Sequence, residues 1–414
     1  MAQQIEHAYV EALSNFTTTS TTYVDVTDAV IPSGSFTAGK KYWLMITGLP
    51  ASSSVNDIFA IRVVHGSTAF PSSEFIREPA IGSSSNRHTY GWFAVWEAVS
   101  GEDVKVQIHR AAGTNAGTQM LTMLAVCLSD DLTENTDWKY SEVIADTVLS
   151  SSFSSSNNAA VTITPALAGR NWLVLAQSQI VAGNATNQLQ TRITRSGEAS
   201  SNVPLRQYEA ESAASELLMM CQGRAFNLGA SSNTFTEESA INGGTGTTTR
   251  KASAVFLLNL SKFKDSGVFW DESEVDLSGT DYGTEIANLD ITPSQSGNMY
   301  ILSMWSFDMV AAGIPCDSRI QVGGVDKPGT NTQNREAGAD AADESPICDA
   351  ALIAVTADVL QDIDVDASTT TAGAGRSAQH RALVAFTMEL VSRLVSPSDS
   401  ILLRDPNCIE VAAF

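Results

Sequence analysis

The chain has 414 residues, 43% of them apolar, so it carries material for more than one hydrophobic core and is not a disordered polymer. Lys and Arg number 24 against 46 Asp and Glu, a formal net charge of -22. A field of that sign repels phosphate backbones and anionic lipid, which removes nucleic acid and membrane surfaces from the expected partners and keeps the chain soluble.

In chain order, the opening MAQQIEHAYVEAL has neither a basic region nor a long apolar run, so no secretory leader is expected. IEHAYVEAL reads as one short helix, and the whole segment before Thr17 is expected to pack against the rest of the protein. No apolar run in the chain reaches the ~18–20 residues of a membrane-spanning helix. TTYVDVTDAVI alternates as a half-buried strand does. GSFTAGKK, Gly34 to Lys41, then matches most of a phosphate-binding loop. Such a loop needs Ser or Thr after its Lys to hold magnesium, and a helix behind it whose N-terminus faces the phosphates. Here Lys41 stands in that place and YWLMITG reads as a strand, so the segment is a turn feeding a strand.

The remaining landmarks recur. A Gly followed at the third position by an aromatic and an apolar run appears as GKKYWLMI from Gly39, GRNWLVLA from Gly169 and GNMYILSM from Gly297, at offsets of 130 and 128. IRVVHG, TRITRSG and SRIQVGG carry Arg62, Arg192 and Arg319. FIRE, PLRQ and QNRE carry Arg77, Arg206 and Arg335 in polar loops, at offsets of 129 and 129. GTNAGT, GGTGTTT and TTAGAG precede the late apolar runs TMLAVCL, KASAVFLL and RALVAFTM. Five landmarks in one order and register predict a tandem triplication. A period of ~129 residues is domain-sized, well above the ~20–50 residues of solenoid repeats.

The polar SDDLTENTDWKYSE, Ser129 to Glu142, reads as the first linker, SKFKDSG, Ser261 to Gly267, as the second, and SRLVSPSDS opens a tail at Ser392. The expected units are therefore 1–133, 134–264 and 265–393, followed by a docking tail, 394–414. DVKVQIHR and DIDVDAS alternate, whereas YWLMI, WLVLA and MLAVCL are continuous and suit strands covered on both faces. Asn242-Gly243 signals a type I′ hairpin, and SAASELLMM, from Ser212, a short helix. Seven or eight short strands per unit describe an all-β fold of three tandem antiparallel sandwiches of jelly-roll type.

Chemistry-bearing patterns are weak, and no catalytic, cofactor or metal residue is expected. Asp362, Asp364 and Asp366 begin like a calcium loop, but Ala367 and Gly373 stand where Gly and Glu are required. They are expected on one solvated strand face. The histidines show no ligand spacing, although His88 and His109 are placed to face each other. The five cysteines, Cys127, Cys221, Cys316, Cys348 and Cys408, form no C-x-x-C pair and are expected as buried thiols. Arg77, Arg206 and Arg335 are the candidate contact residues. Each either ties its loop to its own sandwich or makes one of three equivalent contacts around a pseudo-threefold axis.

Phrases such as TSTTYVDVTDAVIPSGSFTAGKKYWLMITG, in which a threonine-rich strand turns into an aromatic-headed core strand, resemble virion proteins of tailed bacteriophages. Capsid decoration proteins, head fibres and tail fibres of that class use jelly-roll modules singly or in tandem. The resemblance implies a non-enzymatic exterior component, foremost a capsid decoration protein, located in the virion after assembly in the host cytoplasm. Its partners would be major capsid or tail proteins and further copies of itself. The alternative is a tail protein binding a receptor or host-surface glycan, with Trp92 or Trp138 as a sugar platform.

Overall fold

The computed structural model describes residues 3–51, 58–77, 89–153, 157–184, 187–198, 205–209, 217–242, 246–277, 282–309, 315–328, 330, 332–335, 344–369 and 376–391. Among them there is no α-helix, and twenty-four principal strands fall into three sets of eight. The first set is β1 (His7–Ala12), β2 (Val24–Ile31), β3 (Lys41–Ala51), β4 (Ile58–His65), β5 (Phe75–Arg77), β6 (Tyr90–Glu97), β7 (Val104–Ala112) and β8 (Ala116–Cys127). The second is β9 (Trp138–Val148), β10 (Ala160–Ile163), β11 (Arg170–Val181), β12 (Gln188–Arg195), β13 (Leu205–Glu209), β14 (Leu217–Leu228), β15 (Asn233–Ile241) and β16 (Thr249–Asn259). The third is β17 (Ser266–Asp271), β18 (Thr284–Ile291), β19 (Gly297–Met309), β20 (Pro315–Val322), β21 (Thr332–Arg335), β22 (Glu344–Val355), β23 (Gln361–Thr369) and β24 (Arg376–Thr387).

Each set pairs in the same way. One sheet runs β1-β8-β3-β6 and its partner β2-β7-β4-β5, and adding eight or sixteen to every number gives the second and third sandwiches. The pairings between these strands are antiparallel, and consecutive strands alternate between sheets in the jelly-roll manner except at β4-β5 and its equivalents, which pair within one sheet. The all-β expectation therefore holds.

The turn at the head of each core strand follows from backbone sterics. Gly39 and Gly169 sit at φ +81° and +75°, where a Cβ is disfavoured, and β3 and β11 start within two residues. Gly297 instead opens β19 directly. Its preceding turn is held by Asp265, whose carboxylate accepts from the Ser294 amide at 2.9 Å.

The continuous apolar runs are covered on both faces, as expected. In β3, Tyr42, Leu44 and Ile46 point into the first sandwich while Trp43 and Met45 point out of it. β11 divides Trp172, Val174 and Ala176 from Leu173 and Leu175, and β19 divides Met299 and Ile301 from Tyr300, Leu302 and Met304. The outward sets converge on a fourth core shared by all three sandwiches, which contains Phe93, Leu124, Cys221, Phe256, Cys348 and Phe386. Trp43 stacks on Phe256 at 5.1 Å and meets Tyr300 edge-on at 6.0 Å, so aromatic rings from all three units pack together.

Several local expectations fail. IEHAYVEAL contributes β1, and Leu217 to Met220 of SAASELLMM belong to β14; long-range pairing on a sheet overrides weak helix propensity in both. β15 and β16, which Asn242-Gly243 is expected to join as a hairpin, lie in different sheets and do not pair with each other. Residues 212–216 and Gly243 lie outside the described residues. The first linker is shorter than expected, since Trp138 to Glu142 already belong to β9. The N-terminal segment closes the fold: Gln3–Gln4 pairs with Glu389–Leu390, and the Ile5 amide donates to the Met388 carbonyl at 3.0 Å. The tail after Val391 lies outside the described residues.

Candidate functional site: the junction of three sandwiches

The central strands β6, β14 and β22 approach one another pairwise. At their meeting point stand Gly91, Cys221 and Cys348, which face Thr47, Gln177 and Met304 across their own sheets. A Cβ built on Gly91 would lie 3.0 Å from the Cβ of Cys348 and 3.1 Å from that of Cys221. The junction thus accepts two side chains at its centre, and glycine in the first unit makes room for them.

The three interfaces around this point use the same elements with different chemistry. Between the first and second sandwiches, β5 meets β14 at Ile76 and Leu217. The Gln177 side chain, fully buried on β11, acts there as a piece of strand. Its amide donates to the Phe93 carbonyl at 3.0 Å, and its oxygen accepts from the Phe93 amide at 2.9 Å, satisfying the open edge of β6. Gln179 donates to the Glu74 carbonyl at 2.7 Å, and Ser72 donates to Glu142. Burial holds the Glu142 carboxyl above its usual range, against the lowering effect of bonds from Ser72 and Tyr140.

Between the second and third, β13 lies beside β22. Arg224 reaches Glu272 at 3.2 Å while lying over Trp270 and Phe226 at 4.5 and 4.2 Å. Between the third and first, β21 lies beside β3, and Asn298 bonds to His7 at 3.2 Å.

The candidate arginines belong to these seams. Arg77, Arg206 and Arg335 stand on the short strands β5, β13 and β21, not in loops, opposite Phe59, Thr191 and Pro315. Each strand lies at a different seam, and the three arginine side chains lie outside the described ones.

The other arginine series forms a recurring outer-face arrangement. Arg62, Arg192 and Arg319 lie 3.8, 3.9 and 4.4 Å over Tyr23, Phe153 and Tyr282. Their cross-strand partners are Gln107, Glu238 and Asp366, at 3.0, 2.7 and 3.0 Å. The aromatic caps, spaced 130 and 129 residues apart, went unnoticed in the sequence because they stand in otherwise dissimilar loops.

The acidic row is less solvated than expected. Asp366 is buried against Arg319, and Asp362 and Asp364 both accept from the Asn288 amide, at 3.0 and 2.6 Å. In GSFTAGKK, Lys40 bridges Glu6 at 2.9 Å and Asp130 at 2.5 Å, tying the turn to the N-terminal segment and to the first linker. Glu6, Asp130 and Cys127 lie within 4.8 Å of one another, and the ammonium already supplies the positive charge that such a cluster calls for.

Of the other expectations, the sugar platform needs correction and the buried thiols hold for the described cysteines. Trp92 and Trp138 are 0% and 3% exposed and form no surface platform. Trp92 packs on Phe70 inside the first sandwich, and Trp138 donates to the Leu128 carbonyl. His109 packs edge-on against Tyr23, and His88 lies outside the described residues. Cys127, Cys221, Cys316 and Cys348 are buried and in no disulfide, while Cys408 lies outside the described residues.

The second sandwich also encloses an ion pair that sequence patterning did not reveal. Arg250 and Glu237, 1% and 0% exposed at their side chains, meet at 3.2 Å. Ser178 and Ser239 donate to the carboxylate, and Arg250 donates to the Asn157 carbonyl at 2.9 Å.

No family model matches the chain, and no curated protein matches it. Similar solved structures include PNGF-II, at 7% identity and a TM-score of 0.30, covering 84% of this chain and 99% of that one. An archaeal virus structure, described by its triple jelly roll fold and turret assembly, matches at 8% identity and 0.17, covering 86% and 82%. The VP2 subviral particle of infectious bursal disease virus matches at 10% and 0.20, covering 86% and 74%. Superpositions this loose carry no argument about function, and the fold assignment rests on the strand order itself.

Proposed function

We propose that this chain is a non-enzymatic structural component of a virus particle, and that it sits on the exterior of a tailed phage as a capsid decoration protein. The observation that carries the reading is the closed arrangement of three sandwiches with one strand order around a shared core, with β6, β14 and β22 meeting at its centre. A body of that form presents three related faces from one polypeptide, which suits a threefold or local threefold position on a lattice. The common strand order and the landmark offsets support an origin by tandem triplication, with units 1–133, 134–264 and 265–393. The strongly acidic composition suits an exposed, soluble layer that avoids packaged nucleic acid.

On this reading the partners are capsid proteins and neighbouring copies of the chain, the location is the virion, and no cofactor takes part. Arg77, Arg206 and Arg335 are proposed as seam-holding residues within the chain. The glycan-binding tail alternative loses the platform assigned to Trp92 and Trp138, both of which are buried. Purified chain should bind particles that lack it, saturably and without turnover of any substrate. Electron microscopy of decorated particles should place density at three-fold-related capsid sites in many copies. Absence from particles, or hydrolysis of a glycan, overturns the proposal; a few copies confined to the tail would replace decoration with tail binding.

A further inference from the structure

The centre of the junction has a chemical property beyond its packing. The Cβ atoms of Cys221 and Cys348 lie 3.1 and 3.0 Å from one point, the position of a Cβ on Gly91. They are therefore no more than about 6 Å apart. That bound leaves room for the separation a disulfide requires. A disulfide needs a Cβ–Cβ separation of about 3.5–4.5 Å and Cα atoms about 4.4–6.8 Å apart. β14 and β22, which carry the two residues, come within 8 Å along their backbones. The other two described thiols stand apart from this pair: Cys127 belongs to the core of the first sandwich and Cys316 to that of the third, whereas Cys221 and Cys348 share the central core.

We infer that Cys221 and Cys348 are a disulfide-forming pair, an oxidative cross-link site that joins the second and third sandwiches across the junction. With a small-molecule disulfide as oxidant, the thiolate of one cysteine attacks a reagent sulfur and the reagent S–S bond breaks, releasing one reagent thiolate. The thiolate of the second cysteine then attacks the first cysteine's sulfur in the mixed disulfide and expels the second reagent thiolate. The protein gives up two protons and two electrons, and the reagent becomes two thiols. The new bond closes a loop of about 127 residues, counted between the two positions, and so removes much freedom from the unfolded chain. Both thiols are buried, at 4% and 2% exposure, so the bond forms as the strands come together and is then shielded from exchange. This inference does not depend on the particle reading above.

The test is to refold the full chain from denaturant in glutathione buffers of graded oxidation. Samples are alkylated under denaturing conditions, weighed intact and mapped as peptides without reduction. In the oxidising buffers two of the five thiols should escape alkylation, the unalkylated mass should fall by about 2 Da, and one linked peptide should join Cys221 to Cys348. The oxidised protein should melt several degrees above the reduced one. Cys221→Ser should abolish both the linked peptide and the rise in melting temperature, and Cys408→Ser should preserve them. The inference is overturned if all five thiols remain reactive at the most oxidising ratio, or if the recovered link runs through any other cysteine. The peptide map of the unmutated chain decides this even where a variant refolds poorly.

Discussion

Replacing Gly91 by Ala tests whether the junction holds two side chains and no third. The added methyl would lie 3.0 Å from the Cys348 Cβ, 3.1 Å from the Cys221 Cβ and 3.3 Å from the Cys348 sulfur. Contacts this short are tighter than almost all real Cβ contacts, so the neighbours must give by a few tenths of an ångström. They must do so between two filled cores, and overpacking of that kind costs about 1–3 kcal/mol. Reduced freedom of the unfolded chain returns about 0.4–1 kcal/mol of this, because φ at Gly91 is not positive and Ala can adopt it. The expected net loss is therefore between about 0 and about 2.6 kcal/mol. In a Cys348→Gly background two of the three close contacts vanish, and the same Gly91→Ala change should cost at least ~1 kcal/mol less. Urea titrations of the four proteins, followed by tryptophan fluorescence, give this coupling, with Trp43 as a reporter in the shared core. Equal costs in the two backgrounds would refute the crowded-centre argument.

Gln177→Ala leaves the amide and carbonyl of Phe93 unpaired in a buried seam, and should cost about 2–5 kcal/mol. Hydrogen exchange at the Phe93 amide should accelerate well beyond that at the centre of β23; unchanged protection would mean that Gln177 is incidental. Arg250→Met strands Glu237 as an unpaired buried carboxylate and should cost about 3–5 kcal/mol at pH 7, with Glu237→Gln added to it restoring most of the loss. A melt in which the double variant is no better than the single contradicts the assignment. Glu142 titrates above its unfolded value of 4.5, so the stability linked to its protonated form is complete below that value and lost as pH rises through the folded pKa. Glu142→Gln should therefore raise the melting temperature at pH 8 relative to the parent chain, and the gain should shrink towards zero below pH 4.5. A gain independent of pH would sink this explanation.

Much of the architecture is legible in the residues because it depends on burial. Strands such as YWLMI and WLVLA are apolar on both sides, and the structure supplies the second cover from neighbouring sandwiches. Turns fixed by glycine at positive φ were equally readable at Gly39 and Gly169. What could not be read is where a polar side chain replaces backbone. Gln177 looks like a solvent-facing residue until its strand is seen against the edge of β6. The junction centre escaped because Gly91, Cys221 and Cys348 share no residue type, although their offsets of 130 and 127 match the repeat. Asn242-Gly243 carried the right local chemistry for a hairpin, but topology sends the following strand to the other sheet. The arginine landmarks fall on strands that lie at the seams, while the bonds described there are made by Ser72, Gln177, Gln179, Arg224 and Asn298.

The pairing of Gln3–Gln4 with Glu389–Leu390 sets a timetable for biosynthesis. At about 5–20 residues per second, the ribosome needs roughly 20–80 s to produce the second partner after the first has appeared. Once they are made, the outward faces of β3 and β8 lack part of the cover that the later sandwiches provide, with Trp43 and Leu124 among the waiting side chains. A nascent chain with such surfaces is a natural client for chaperones. It is also exposed to mispairing with other chains on the same polysome, since the β11 or β19 of a neighbour offers a closely similar cover. The pair of Gln3–Gln4 with Glu389–Leu390 is thus a contact that can form only after nearly the whole chain has been made.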